Sequence, residues 1–141
     1  MKTFMSRAAL AGLLMGVSVL ASAATPAPKG AEVSIVSPKD DATVPQTFVV
    51  KFAVENIALA PAGDATKNTG HHHLLIDVDK LPAAGQPIPN DANHLHFGKA
   101  QTQAEVTLPP GKHTLQLELG DSGHIPFDPP IVSEKITVNV K

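Results

Sequence analysis

From residue 32 onward the chain alternates apolar and polar positions with a period of two, which predicts short half-buried strands. "EVSIV" (32–36) sets Val33 and Ile35 on one face. "TFVVKFAV" (47–54) alternates Phe48, Val50 and Phe52 against Val49, Lys51 and Ala53. "GHHHLLIDVD" (70–79) opens a strand on which His72, Leu74, Ile76 and Val78 form the apolar row, with His71 and His73 on the other face. "HLHFG" (94–98) predicts a short edge strand. "TQAEVTL" (102–108) and "KHTLQLEL" (112–119) are joined by "PPG", a hairpin signal. In the second of these, His113, Leu115, Leu117 and Leu119 share one face and Thr114, Gln116 and Glu118 the other. "SEKITVNV" (133–140) closes the pattern with Ile136, Val138 and Val140 inward.

The intervening segments carry turn chemistry: "SPKDDATVP" (37–45), a Gly/Pro/Asn-containing loop over 58–69, and "GDSGHIPFDPP" (120–130). The stretch "KLPAAGQPIPNDAN" (80–93) has no apolar period and is long for a connection in a small domain, which marks it as a functional loop. Roughly seven strands spaced about ten residues apart, with no helical period among them, predict an all-β fold, an immunoglobulin-like antiparallel β-sandwich.

The N-terminus is of another kind. Lys2 and Arg7 precede an apolar run, Ala8 to Leu20, and Ala21-Ser22-Ala23 offers a small-x-small cleavage site. Residues 1–23 therefore read as a secretory signal peptide, 24–31 as a short exposed leader and 32–141 as the sandwich domain. The apolar run is short for a membrane span, and without a cysteine after it there is no lipoprotein anchor. A periplasmic or secreted location follows as the expectation, for a fold that stands without disulfides.

Removal of the signal changes the composition in ways that exclude partners. Beyond residue 23 there is no Met, Cys, Trp, Tyr or Arg, and nine lysines against 13 acidic residues leave a formal charge of −4. That balance disfavours nucleic acid and anionic membrane. Without arginine the bidentate clamp for phosphate is missing, and without Trp or Tyr so are stacking platforms for sugars or single strands.

All seven histidines lie between positions 71 and 124. In the common sandwich order, the loop before His71, the turn near Gly98 and the loop carrying His124 emerge at one end. His71, His73, His94, His96 and His124 are thereby candidate metal ligands. A pair at i and i+2 on a strand offers two imidazoles side by side, and a divalent metal takes them at about 2.0–2.1 Å. Imidazole with no sulfur ligand suits Cu(II), Zn(II) or Ni(II). Asp77 and Asp121 are candidate acceptors that would fix ring tautomers. His72 and His113 fall on core faces and are read as packed core histidines or as additional ligands, with His113 at the opposite end after the "PPG" turn.

The elements "GHHHLLID", "HLHFGKAQT", "LPPGKHTLQLELGD", "GH" (123–124) and "SEKITV" resemble a small exported bacterial domain family, domain of unknown function 4399. The resemblance runs from Gly70 to Val140 and implies an exported single-domain protein whose histidine motifs match His71, His72, His73, His94, His96, His113 and His124. It supplies no function. A shorter similarity links "HLHFG" to the HxH strand of copper-zinc superoxide dismutases, also exported β-sandwiches.

Three functions are compatible with these residues. The first is a non-enzymatic protein that binds Cu(II) or Zn(II) as carrier, buffer or sensor. The second is a metalloenzyme of superoxide dismutase-like or hydrolytic type, although no nucleophile-elbow motif surrounds Ser34, Ser37, Ser122 or Ser133. The third is a metal-free interaction module of the cell envelope.

Overall fold

The computed structural model describes residues 23–141, together with Gly12, Met15 and Gly16; most of the expected signal peptide lies outside the described residues. Nine strands are present among them: β1 (Glu32–Ser37), β2 (Ala42–Val44), β3 (Thr47–Glu55), β4 (Ala58–Leu59), β5 (Thr69–Ile76), β6 (His94–Phe97), β7 (Gln103–Thr107), β8 (Gly111–Gly120) and β9 (Ile136–Val140).

Period-two patterning puts one face of each long strand into a shared interior. On β3, Phe48, Val50 and Phe52 point inward, and they meet Leu74 and Ile76 of β5, Leu115, Leu117 and Leu119 of β8, and Val138 and Val140 of β9. Full burial of each such side chain contributes about 1.5–3 kcal/mol, so this interior is what closes the two sheets on one another. One sheet has the order β1-β3-β7. The other runs β2-β9-β8-β5-β4, with β6 also paired to β5. With β1, β3 and β7 facing β5, β8 and β9, the sandwich is immunoglobulin-like.

Four segments differ from their sequence reading. The "PPG" connection closes no hairpin, because β7 pairs with β3 in one sheet while β8 pairs with β5 and β9 in the other. The loop over 58–69 begins with β4, which runs parallel to β5. "ATV" within 37–45 is no mere turn: β2 pairs in parallel with β9, from Ala42 opposite Val138 to Val44 opposite Val140. The leader does not hang free, because Pro26 bridges Asp128 and backbone bonds join Ala27 N to Asp128 O and Asp128 N to Thr25 O at 2.9 Å each. Proline and alanine leave the leader backbone extended, and an extended segment can satisfy its polar groups along a neighbouring chain.

For the site, the decisive element is β5. It is central in its sheet, and residues Gly70 to Ile76 are buried on both faces. The inner face meets the core. The outer face is covered by connections rather than by a third sheet: Ile88 of the 80–93 loop is 5% exposed, and its N–H donates to His124 O at 2.8 Å.

Candidate metal centre

Register builds the centre. β5 and β6 run antiparallel with His73 opposite His96, while β5 and β8 place His71 opposite Gly120 and His73 opposite Glu118. Since residues directly opposite share a face, His71, His73, His96 and Glu118 all lie on the outer face of this sheet. His124 comes from the following loop. Its backbone sits at φ 65°, in the left-handed region, and its N–H donates to Asp121 O at 2.9 Å. The Asp121 carboxylate holds that turn, because Oδ1 accepts from the N–H groups of Gly123 and Ile125 and Oδ2 accepts from Thr25 Oγ1 at 2.7 Å.

The outcome is a cluster of four imidazoles. His71, His73, His96 and His124 each present a ring nitrogen, and the four nitrogens lie within 4.8 Å of one another. Ring centroids are separated by 4.7 Å for His71–His73 and His96–His124 and by 6.0 Å for His73–His124. His71 and His73 are 1% exposed; His96 and His124 form the half-buried outer edge. Bonds of about 2.0–2.1 Å place the nitrogens of a tetrahedral shell roughly 3.4 Å apart, so the rings need to close by about an ångström to grip an ion.

Two glycines make room for the rings. A Cβ on Gly120 would stand 2.7 Å from His73 Cε1, and one on Gly98 would stand 2.4 Å from His96 Cε1. The loop after β4 then stitches the histidine-bearing segments together: Ala60 N–H donates to Gly70 O, Ala62 N–H to Gly98 O and Gly63 N–H to Ser122 O, all at 3.0–3.1 Å. A cleft of about 430 Å³ opens beside the His124 loop, with Thr25, Asp64, Lys67 and Asp121 among its walls, but no histidine lines it. The cluster is buried at His71 and His73 and reaches the surface at His96 and His124.

Burial sets the charge of the cluster. It pushes His71 down to about 4, helped by His96 and His124 and opposed by Asp121. Burial likewise pushes His73 down to about 3, with the three neighbouring rings adding to the effect, and lowers His96, with His124 contributing. His71, His73 and His96 are thus neutral at neutral pH, the form that ligates a metal. One direct bond, His71 Nε2 to His124 Nδ1 at 3.1 Å, links two of the four rings. His73 Nδ1 and His96 Nε2 are buried with no hydrogen-bond partner. Buried polar atoms are rarely left so, and a metal lone-pair acceptor is the kind of partner such nitrogens fit.

The remaining predicted residues lie elsewhere. His94 shares the outer face with His96, but it stands opposite Leu75, two positions further along the strand. Its Nδ1 bonds Asp91 Oδ1 at 2.8 Å, so it leaves the candidate ligand set. Period-two parity sets His94 and His96 on one face but not at one distance from His73, because two residues along a strand span about 6.6 Å. Asp77 is also corrected. β5 ends at Ile76, Asp77 turns at φ 57°, and its carboxylate reaches His113 at the far end of the sandwich instead of the cluster. Asp121 does act on the site, through the backbone of the turn rather than through a ring nitrogen.

His72 packs its ring 4.8 Å from that of Phe52 and burial pushes it down to about 4; neither ring nitrogen has a partner. His113 is tied at both nitrogens, Nδ1 to Asp77 Oδ2 at 2.7 Å and Nε2 to Pro109 O at 2.9 Å. Both are therefore structural, one in the core and one as a clasp.

Sequence reasoning missed Gly98, Gly120 and Glu118. The glycines carry no chemistry to flag them. Glu118 sits at a position whose parity reads as solvent-facing, yet the covering loops leave it 0% exposed, with both carboxylate oxygens unpartnered and burial pushing it up to about 7.

No curated protein matches the chain. Among solved structures it is similar to the fibronectin(III)-like modules of Clostridium thermocellum CbhA, at 14% identity over 77% of this chain and 92% of that one, with a TM-score of 0.35. It is similar also to the PKD domain (329–428) of human KIAA0319, at 11% identity over 89% of each chain, with a TM-score of 0.40. Residues 50–141, which carry every histidine, match the family model described as Domain of unknown function (DUF4399), and the chain belongs to that family.

Proposed function

We propose that this is an exported protein that binds a divalent transition metal, Cu(II) or Zn(II), at His71, His73, His96 and His124, and serves as carrier, buffer or sensor. The observation that carries the reading is the meeting of four imidazoles from three segments within 4.8 Å, two of them with buried nitrogens that have no protein partner. The donor set is all nitrogen, which suits Cu(II) and Zn(II). Four protein ligands fill a tetrahedron, whereas hydrolytic zinc sites keep a position open for water. This favours holding a metal over turning over a substrate. Export rests on the signal-like first 23 residues.

Calorimetric titration of the chain lacking residues 1–23 with Zn(II) and Cu(II) tests the proposal. One ion per chain with a dissociation constant below about 10 μM is expected. Weaker binding of both ions overturns it. Release of a periplasmic product beginning near Ala24 checks the location, and retention of residues 1–23 on the protein in the cytoplasm overturns it.

A further inference from the structure

Glu118 is the buried acidic group that no other residue among those described partners. It is 0% exposed, neither carboxylate oxygen has a hydrogen-bond partner, and no ion pair among the described residues involves it. Such a group costs the fold stability unless something compensates it. Its place is specific: across the outer face, β6, β5 and β8 line up His96, His73 and Glu118 as one cross-strand row. It stands outside the four groups whose ligand atoms gather within 4.8 Å, so it is not positioned as one more ligand.

Four neutral imidazoles around a divalent ion leave two positive charges in a largely buried site. A buried charge persists there only with a counter-charge close by. Resting on the metal reading, we infer that Glu118 is the counter-anion of the site, a carboxylate that stands beside His73 and balances the bound cation without coordinating it. Asp77, Asp91 and Asp121 already accept hydrogen bonds from His113, His94 and the His124 turn, whereas Glu118 is the fully buried carboxyl group that has no partner among the described residues. This makes the site selective by charge as well as by ligand type, favouring divalent over monovalent ions.

Zn(II) and Ag(I) titrations of the wild-type chain and of Glu118→Gln test the inference. The variant keeps all four imidazoles, and Zn(II) affinity should fall about 10–100-fold, the usual effect of removing a partner outside the ligand shell. The loss for Ag(I), with half the charge, should be smaller. Equal losses for both ions, or an unchanged Zn(II) affinity, overturn the inference. Should Glu118→Gln fail to fold, infrared spectra of glutamate-labelled wild-type protein decide instead: a Glu118 carboxyl still protonated in the Zn(II)-loaded state overturns it, and an ionised one supports it. Wild-type protein that binds no Zn(II) defeats the parent reading itself, whereas wild-type binding with an indifferent variant defeats only the role of Glu118.

Discussion

The two ends of this sandwich use the same side chain in opposite charge states. At one end, His71, His73 and His96 are held neutral, because burial and each other's proximity penalise a proton. At the other end His113 donates from both ring nitrogens, to the Asp77 carboxylate and to the Pro109 carbonyl, and both of these can only accept. Two donors on one imidazole require the cation, and Asp77 accordingly raises His113 above the ordinary histidine range. What separates them is the partner: other imidazoles at one end, a carboxylate at the other. Histidine content by itself therefore says little about metal affinity, and the arrangement of acceptors says much.

The largest expected effect breaks the cluster end alone. His73→Ala should weaken Zn(II) binding by more than about 100-fold, or about 2.7 kcal/mol, since it removes one of the two fully buried ligands. His113→Ala should leave that affinity within about twofold while it lowers the unfolding midpoint. Parallel calorimetry and thermal melts check the pair, and a comparable loss of affinity in both variants would dissolve the distinction between the ends.

A pH scan of metal-free protein sharpens the same contrast. The cluster histidines have folded pKa values below the ordinary 6.5, so the unfolded chain takes up protons that the folded chain refuses. Stability should fall on this account as pH drops from about 6.5 toward 4. His113 runs the other way. Its raised value gives a contribution that is complete below about 6.5 and lost as pH rises through the folded pKa. Glu118 also penalises higher pH, as its folded value is pushed up to about 7 from 4.5: the loss develops between those values and persists above them. Chemical denaturation across pH 4 to 9 should show Asp77→Asn flattening only the alkaline decline due to His113, at a cost of roughly 1 kcal/mol near neutrality for the half-exposed pair. A steeper acid limb in that variant would contradict the assignment.

The smallest effect is expected at His94. Its exposed bond to Asp91 contributes little, so His94→Ala should change stability by less than about 0.5 kcal/mol and Zn(II) affinity by less than twofold. A loss of affinity close to that of His73→Ala would return His94 to the site.

Much of the architecture was legible in the residues. The rows Phe48/Val50/Phe52 and Leu115/Leu117/Leu119 announce their strands and their inner faces, because a side-chain period of two is a local property of extended backbone. The same periodicity separated His72, which packs against Phe52, from His71 and His73. β2 escaped notice, since three residues within a Pro/Asp-rich stretch carry no period and are strands only because β9 lies alongside. Asp77 misled because parity was extended one residue past the end of β5.

By itself, then, the sequence determined the longer strands, the two faces of β5 and the confinement of every histidine to one stretch of chain. Only tertiary structure decided which of them meet. Register set His96 rather than His94 beside His73, the left-handed turn at His124 brought in the fourth ring, and Gly98 and Gly120 left the space the rings fill. Register and close approach depend on segments dozens of residues apart, whereas alternation depends on neighbours. The same distinction explains Glu118, polar and outward by its parity yet fully buried, because loops that carry no pattern of their own close over that face.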